Sequence, residues 1–193
     1  MRIIAGSFKG RKLVAPKGDD TRPTTDRVRE SLMSTIASAR GGFENAHVLD
    51  VFAGSGALGF EALSRGAATA TFYEKSAGAI RALRQNAELL GLDLSNHAIF
   101  QSDVLKYRPR FAGNKFDIVF LDPPYALDHI EILNLITALQ EEGVIAQDAL
   151  ISYEHSKKIS QALEKNLLNS SWSVISEKKY GDTTIDLLQY RQD

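Results

Sequence analysis

Four consecutive residues, Asp122-Pro123-Pro124-Tyr125, combine an acidic acceptor, a rigid backbone and an aromatic ring. They directly follow Phe116–Leu121, a nearly apolar run that is typical of a strand buried on both faces. Two prolines fix the backbone and remove its N–H donors, so the carbonyls of Asp122 and Pro123 become acceptors with rigid directions. A carboxylate and a carbonyl that accept both hydrogens of an exocyclic amine favour a pyramidal nitrogen with a usable lone pair.

The Tyr125 ring adds an aromatic face on which a base can stack, an interaction that contributes roughly 1–3 kcal/mol. The motif therefore predicts chemistry on the amino group of a nucleic-acid base. The alternative is a turn that ends a strand and carries an incidental aromatic residue. A glycine-rich loop earlier in the chain favours the catalytic interpretation.

That loop runs from Asp50 to Gly59 and carries Gly54, Gly56 and Gly59 in the spacing G-x-G-x-x-G. The spacing alone also fits dinucleotide binding. Asp50 argues for a different ligand, because a carboxylate gives no benefit to a pyrophosphate at a helix N-terminus. It does stabilise a ligand that carries an ammonium group, as the methionine part of S-adenosylmethionine (SAM) does.

Two further acids lie at or just after the ends of predicted strands. Glu74 is placed to accept both hydroxyls of a ribose, a device that NAD enzymes share, or it is simply a surface acid. Asp103 is placed either to hold an adenine amino group or to cap the helix that follows it. Glu74 therefore does not separate SAM from a dinucleotide.

The hydrophobic patterns predict the elements that position these residues. Residues 2–5 and 11–15 flank a glycine-bounded turn and predict a small β-hairpin, followed by a helix that ends at Gly41-Gly42. We predict strands at 48–53, 70–74, 98–101, 116–121, 150–153, 172–178 and 184–190, with helices ending near 64 and spanning 77–90, 129–141 and 156–167. This alternation predicts a mostly parallel sheet with helices on both faces, in which the last two strands form an antiparallel hairpin. Ligands of such sheets bind outside the carboxyl ends of the strands, which brings the loop and the Asp-Pro-Pro-Tyr motif to one edge.

The composition excludes several classes of protein. The chain of 193 residues has no cysteine, which excludes disulfides, thiolate zinc sites and cysteine nucleophiles. Its four histidines are scattered without ligand spacing, so we expect no metal site. We find no signal peptide and no apolar run of about 18 residues, and we therefore expect a cytoplasmic protein without a membrane contact.

Charge is unevenly distributed along the chain. Residues 1–40 hold nine Lys/Arg and four Asp/Glu, a net charge of +5, and the whole-chain charge of −1 leaves −6 for the remainder. A basic arm on an acidic body indicates a polyanionic partner that is met at one end, although a solvated basic hairpin would look the same.

Taken together, the motifs resemble one group of enzymes. The glycine loop with Asp122-Pro123-Pro124-Tyr125 resembles Rossmann-type amino-methyltransferases. Three further stretches resemble the RsmD type of bacterial methyltransferase: residues 2–13 with Arg2-Ile3-Ile4-Ala5-Gly6, residues 22–32 with Arg22-Pro23-Thr24-Thr25-Asp26-Arg27, and Gly59 to Gly66. The resemblance covers most of the chain and is weakest after about residue 126.

This resemblance implies a single Rossmann-like domain of residues 1–193, with a basic hairpin and helix extension at 1–40 and a SAM-binding core at 41–193. The sheet would have seven strands with a reversed hairpin at its edge. The implied activity is SAM-dependent methylation of the exocyclic N2 of one guanine in 16S ribosomal RNA, a guanine-966-type site, within the assembled small subunit. We expect a monomer that produces S-adenosylhomocysteine and transfers the methyl group directly, without a metal.

The expected site residues form three sets. The catalytic set is Asp122, Pro123, Pro124 and Tyr125, where some members of the family have Phe in place of the tyrosine. The set expected to bind the methyl donor is Asp50, Phe52, Ala53, Gly54, Gly56, Glu74, Lys75, Asp103 and Val104. The set expected to contact RNA is Lys9, Arg11, Lys12, Arg22 and Arg27.

Alternatives remain open at the level of the sequence. Enzymes that methylate adenine N6 or cytosine N4 share the Asp-Pro-Pro-Tyr motif, although the small size argues against a DNA enzyme with a separate recognition domain. A dinucleotide-dependent oxidoreductase is the more distant alternative, and Asp50 and the double proline count against it. A third is an RNA-binding module that has kept the fold without catalysis.

Overall fold

The computed structural model describes residues 1–16, 25–110 and 113–191. In chain order the elements are α1 (Asp26–Arg40), β1 (His47–Asp50), α2 (Ala57–Ser64), β2 (Thr69–Glu74), α3 (Ala77–Leu90), β3 (His97–Gln101), β4 (Phe116–Leu121), α4 (His129–Glu141), β5 (Ile145–Ser156), α5 (Ser160–Leu168), β6 (Trp172–Tyr180) and β7 (Thr183–Tyr190). A short 3-10 turn, Lys157–Ile159, precedes α5.

The strands form one seven-stranded sheet in the order β3-β2-β1-β4-β5-β7-β6. The pairs among β1 to β5 are parallel, whereas β7 runs antiparallel to both β5 and β6. The predicted Rossmann-like sheet with a reversed hairpin at its edge is confirmed. Because β1, β2, β3 and β4 are parallel, their carboxyl ends lie along one edge.

Helices cover both faces of this sheet, as the near-continuous apolar strands require. One core packs α1, α2 and α3 against the sheet and includes Ile36, Phe60 and Leu83. The other packs α4 and α5 against the opposite face and includes Ile136 and Leu163. The helix limits predicted for α3 and α4 are confirmed, and so are the limits of β4.

The structure differs most from the predicted limits in three places, and the limits of β2, β3, β6 and β7 differ by one or two residues. β1 ends at Asp50 instead of Ala53, because the chain turns immediately after the carboxylate. β5 begins at Ile145, five residues before the predicted start, where a register shift accommodates polar residues that weaken the strand pattern. The predicted last helix is divided into the 3-10 turn and α5.

The N-terminal hairpin is held by α2 more than by its own ladder. Its strands share a single antiparallel bridge, Arg2 with Lys12. The buried carboxylate of Glu61 accepts hydrogen bonds from the backbone N–H groups of Ile4 and Ala5 at 2.8 and 3.0 Å. The hairpin is therefore held mainly by its packing on α2. The predicted hairpin is present, but its two strands pair at only one position.

A close backbone approach explains the glycine in this hairpin. Gly6 has a φ of 82°, and a Cβ at this position would lie 1.7 Å from the carbonyl oxygen of Ser64. The N–H of Ser7 donates to that same carbonyl at 2.7 Å. Glycine at position 6 thus permits the contact between the hairpin and α2.

Within the described ranges, none of the helices combines the length and the apolar character that crossing a membrane would require.

Candidate active site

The glycine loop turns the chain from β1 into α2. Gly54 and Gly56 have φ values of 54° and 79°, and the N–H of Gly56 donates to the carbonyl of Ala53 at 2.7 Å. A Cβ on Gly56 would lie 2.3 Å from Leu83 Cδ1, whereas nothing lies within 4 Å of the same position on Gly54. Gly56 is therefore required by packing, and Gly54 leaves open space where a ligand can approach the backbone.

Asp50 lies buried beneath this loop. One carboxylate oxygen accepts a hydrogen bond from the N–H of Gly59, in the first turn of α2, at 3.0 Å. Burial raises the pKa of Asp50 to about 7; the Gly59 hydrogen bond opposes this shift, and the nearby negative charges of Asp122 and Glu74 add to it. The helix N-terminus thus already faces a carboxylate, an arrangement that disfavours a pyrophosphate and favours a cationic ligand.

Glu74, at the end of β2, holds the glycine loop. Its carboxylate accepts hydrogen bonds from the N–H of Gly54 at 2.9 Å and from the N–H of Ser76 at 2.7 Å. A carboxylate has about four lone-pair sites, so these two bonds leave acceptor capacity for ligand hydroxyls. Glu74 is consequently a structural part of the loop as well as a candidate ligand-binding residue.

Strand register brings Asp122 beside these two acids. Asp50 pairs with Phe72 in β2 and with Phe120 in β4, so Glu74 and Asp122 both lie two residues further along their strands. Burial raises the pKa of Asp122 to about 6. The predicted meeting of the glycine loop with the Asp-Pro-Pro-Tyr motif at one edge of the sheet is therefore observed.

The rest of the motif forms a turn that begins α4. Pro123 is buried and Pro124 is exposed, and the carbonyl of Pro124 accepts a hydrogen bond from the N–H of Leu127 at 2.9 Å. The Tyr125 side chain is 52% exposed, and its hydroxyl lies 2.6 Å from the hydroxyl of Thr183 in β7. The ring is thus accessible for stacking while its far end is held by the reversed hairpin.

The remaining residues expected to bind the methyl donor lie around the same edge. Phe52 packs partly against the α4 side of the sheet, and the N–H of Ala53 donates to the carbonyl of Tyr73 at 3.0 Å. Lys75 is exposed, and Val104 is buried in the core. Asp103 accepts the N–H of Leu105 at 3.2 Å, so it stabilises a turn in this structure and does not cap a helix.

The basic arm contains two kinds of cation. Lys9 and Lys12 are exposed, as is Arg27 in the first turn of α1. Arg11 instead donates to the carbonyls of Leu89 and Leu90 at the C-terminus of α3, at 3.2 and 3.1 Å. The fifth predicted RNA contact, Arg22, lies outside the described residues.

Sequence reasoning missed three side chains that organise the site. Thr183 lies inside the segment predicted as a turn, and nothing in its local pattern indicates a contact 58 residues away. Buried Asn86 donates to the carbonyls of Val14 and Ser55, both at 2.9 Å, and so joins the N-terminal segment to the glycine loop. Glu61 could have been suspected, because a charged residue in the apolar run of α2 needs a buried partner.

Comparison with known proteins gives the same fold and a family. The family model described as "Conserved hypothetical protein 95" matches residues 1–189. The chain is 38% identical over 189 residues to ribosomal RNA small subunit methyltransferase D of Escherichia coli, covering 98% of this chain and 89% of the relative. It is 34% identical to the protein of the same name from Haemophilus influenzae, over 98% of this chain and 93% of the relative.

Solved structures agree. A structure described as a methyltransferase from Escherichia coli superposes with a TM-score of 0.79 at 36% identity, covering 100% of this chain and 99% of that one. A second, described as a methylase from Haemophilus influenzae, has a TM-score of 0.74 at 31% identity, over 99% and 98% of the two chains. The chain therefore belongs to the "Conserved hypothetical protein 95" family, which is the RsmD family of methyltransferases.

Proposed function

We propose that this protein transfers a methyl group from SAM to the exocyclic N2 of one guanine in 16S ribosomal RNA. The observation that carries the proposal is the meeting of two groups of residues at one edge of the sheet. Asp50 and Glu74 organise the glycine loop, and Asp122 with Tyr125 lies at the end of the neighbouring strand. The first group suits the methyl donor and the second suits a base.

The residues of the loop fit SAM by charge and by shape. The pKa of Asp50 is raised by burial and by two neighbouring carboxylates, so a cation placed among them relieves the repulsion. SAM carries both an ammonium and a sulfonium cation. The open space at Gly54 allows a ligand to approach the backbone, and Glu74 retains acceptor capacity for ribose hydroxyls. Phe52, Ala53, Gly56, Lys75, Asp103 and Val104 complete the proposed set.

Bound SAM supplies an electrophilic methyl group. The protein's contribution is to present the amine: the carboxylate of Asp122 accepts one amine hydrogen, and an adjacent backbone carbonyl of the motif accepts the other. Transfer of the methyl group would leave the sulfur as the neutral thioether of S-adenosylhomocysteine, and the proton that the amine gives up would pass to the Asp122 carboxylate. Tyr125 stacks on the target base, which must leave its helical stack to reach this edge.

The RNA substrate is supported by the named activity of the relatives and by the basic arm. The relatives from Escherichia coli and Haemophilus influenzae are small subunit rRNA methyltransferases. Lys9, Lys12 and Arg27 are exposed cations on the N-terminal extension, available to phosphates. We propose that the extension of residues 1–40 holds rRNA within the small subunit, and that the chain acts as one domain and as a monomer.

The test is mass spectrometry of 16S rRNA nucleosides from a strain in which this gene has been deleted. Loss of one N2-methylguanosine, restored by the wild-type gene and not by Asp122→Ala, is the expected result. Loss of an N6-methyladenosine or an N4-methylcytidine instead would assign a different target base. Purified protein with free rRNA and with small subunits then identifies the form of the substrate, and calorimetric titration of SAM and NADH checks the cofactor.

A further inference from the structure

A second basic region lies far from the N-terminal arm in the sequence. Residues 104–116 contain Lys106, Arg108, Arg110 and Lys115 and no Asp or Glu. Residues 41–193 carry −6 in total, so the core outside this segment carries −10. The segment is therefore a local cluster of positive charge in a core whose net negative charge repels polyanions.

This segment makes the one crossover between parallel strands of the described sheet that has no helix. It connects β3, at the edge of the sheet, to β4, on the far side of β2 and β1. It starts at the carboxyl edge, where the N–H groups of Lys106 and Tyr107 donate to the carbonyl of Asp103 at 3.0 and 2.9 Å. It ends at the amino edge, where the N–H of Phe116 donates to the carbonyl of Val144 at 3.0 Å. Val104, Leu105 and Phe116 of this segment pack in the core on the α4 side, opposite to the face that holds the N-terminal hairpin.

A cleft of about 690 Å³ opens along this crossover. Its walls are Lys106, Tyr107, Arg108, Arg110, Glu142 and Val144, and we refer to the first four of these residues as the crossover patch. Two of the wall residues, Arg108 and Glu142, form an ion pair with an N–O distance of 2.6 Å. Within the described part of the chain, Lys106 and Arg110 have no ion-pair partner. Their charges are therefore available to a ligand.

Tyr107 distinguishes this patch from an ordinary basic surface. Its side chain is 72% exposed, between Lys106 and Arg108. Cations that follow a groove, with an exposed aromatic ring among them, are the arrangement by which proteins bind unpaired nucleic acid: the cations contact phosphates and the ring stacks on a base. An acidic protein segment would use the cations but would gain little from the ring.

We propose that the crossover patch is a second RNA-binding site, which takes the phosphates and one unpaired base of the rRNA that also delivers the target guanine. The inference rests on the proposed function for the identity of the RNA. The patch and the N-terminal hairpin lie on opposite faces of the sheet, and the crossover that carries the patch leaves β3 at the carboxyl edge, where Asp122 also lies. An RNA that passes over this edge from one face to the other can contact both and be held near Asp122, and the net negative charge of the rest of the core disfavours other placements.

The experiment compares two variants of equal charge change. Lys106→Ala/Arg110→Ala removes the free cations of the patch, and Lys158→Ala/Lys165→Ala removes two exposed lysines from the α5 region. Affinity for small subunits and for 16S rRNA is measured at several salt concentrations, and SAM affinity is measured by calorimetry. Each lost phosphate contact lowers the slope of log affinity against log salt by about one, so the patch variant should lose about two and the control none.

A third variant, Tyr107→Ala, separates stacking from charge. We expect roughly a ten-fold loss of rRNA affinity with an unchanged salt slope, since stacking is worth about 1–3 kcal/mol and involves no counterion. SAM affinity should be unchanged in all variants. An unchanged salt slope in Lys106→Ala/Arg110→Ala overturns the proposal, and so does an equal loss of slope in the Lys158→Ala/Lys165→Ala control. Unaltered rRNA affinity in Tyr107→Ala also overturns it and would favour an acidic protein as the ligand. Failure of the wild-type protein to methylate rRNA would instead contradict the proposed function, which the methylation assay reports separately.

Discussion

The hydroxyl of Tyr125 lies 2.6 Å from the hydroxyl of Thr183, and this hydrogen bond joins the loop after β4 to the first residue of β7. The Tyr125 ring is half exposed, whereas Thr183 is buried. A buried anchor thus holds the far end of an accessible ring. We infer that Thr183 is a positioning residue, which sets the plane in which Tyr125 receives the target base.

A double-mutant cycle tests this relationship. Tyr125→Phe and Thr183→Val each remove one side of the hydrogen bond and keep the shape of the residue. Each should lower kcat/KM roughly 3- to 10-fold, the effect of losing about 0.5–1.5 kcal/mol, and the double variant should lose no more than either alone. Thr183→Ser should retain wild-type activity because it keeps the hydroxyl.

The control is Thr69→Val at the amino end of β2, where the Thr69 hydroxyl bonds to His47 at 2.8 Å. This change removes a comparable hydrogen bond far from the reaction edge, and we expect unaltered kcat/KM. Additive losses in the cycle would show that Tyr125 and Thr183 act independently.

Asp122 should affect turnover far more than it affects the methyl donor. Asp122→Ala removes the acceptor for the target amine, and we expect kcat to fall on the order of 100-fold or more. SAM affinity, measured by calorimetry, should fall far less than kcat, because Asp50 and Glu74 remain in place. A variant that kept half of the wild-type kcat would remove Asp122 from the catalytic machinery.

Loss of the Glu74 carboxylate should weaken the binding of SAM and of its product S-adenosylhomocysteine to the same extent. We expect Glu74→Ala to weaken SAM and S-adenosylhomocysteine by roughly 1.5–3 kcal/mol, the range for hydrogen bonds that involve a charged group. The structure adds a second cause, since the carboxylate also holds the N–H groups of Gly54 and Ser76. Glu74→Gln, which keeps one acceptor oxygen, should recover part of the loss. Equal affinities for wild type and Glu74→Ala would exclude Glu74 from the donor site.

Parallel topology explains why much of this site could be predicted from the sequence. Asp50, Glu74 and Asp122 lie at the carboxyl ends of predicted parallel strands, which meet at one edge of the sheet. Ligands of open α/β sheets bind outside that edge. That rule needs only the alternation of strands and helices along the chain. The limits of α3 and α4 were also predictable, because the helical spacing of their apolar residues ends at clear boundaries.

Contacts between distant segments could not be predicted in this way. The Thr183 hydroxyl meets Tyr125 across 58 residues, and Asn86 reaches Val14 across 72. Each depends on tertiary packing that no local pattern encodes. Arg11 illustrates the same limit: no local pattern indicates that its guanidinium donates to the last carbonyls of α3, and its contact with phosphate stays a prediction.

Asp50 should make SAM binding depend on pH. In the unfolded chain an aspartate has a pKa near 3.8, and burial raises that of Asp50 to about 7. The folded protein without ligand therefore retains a proton between about pH 4 and 7, and this group's contribution to the free energy of unfolding decreases as pH rises through that window. A bound cation stabilises the ionised carboxylate, so SAM affinity should rise from pH 5.5 to pH 8. In the same range, SAM binding should release protons from Asp50.

Calorimetry in buffers of different ionisation enthalpy measures that proton release, and Asp50→Asn should abolish most of it. Denaturant unfolding at the same pH values should show that Asp50→Asn loses stability less steeply than wild type between pH 4 and 7. Identical pH profiles for the two proteins would show that Asp50 does not titrate in this range.

The N-terminal arm should divide into cations that bind RNA and one that stabilises the fold. Lys9 and Lys12 are exposed, and phosphate contacts supply salt-dependent affinity with little selection among bases. Lys9→Ala and Lys12→Ala should each reduce the salt slope of rRNA binding by about one unit and leave SAM affinity unchanged.

Arg11→Ala should behave differently from both lysine variants. Arg11 donates to the carbonyls of Leu89 and Leu90, where a cation compensates the negative end of the α3 dipole. Its loss should lower the free energy of unfolding by roughly 0.3–1 kcal/mol, with a smaller effect on the salt slope. Lys165→Ala, an exposed lysine on α5, is the control for removing one charge. Salt slopes for Lys9→Ala/Lys12→Ala that match the wild type would take the arm out of the RNA interface, because the two free cations of the hairpin would then contact no phosphate.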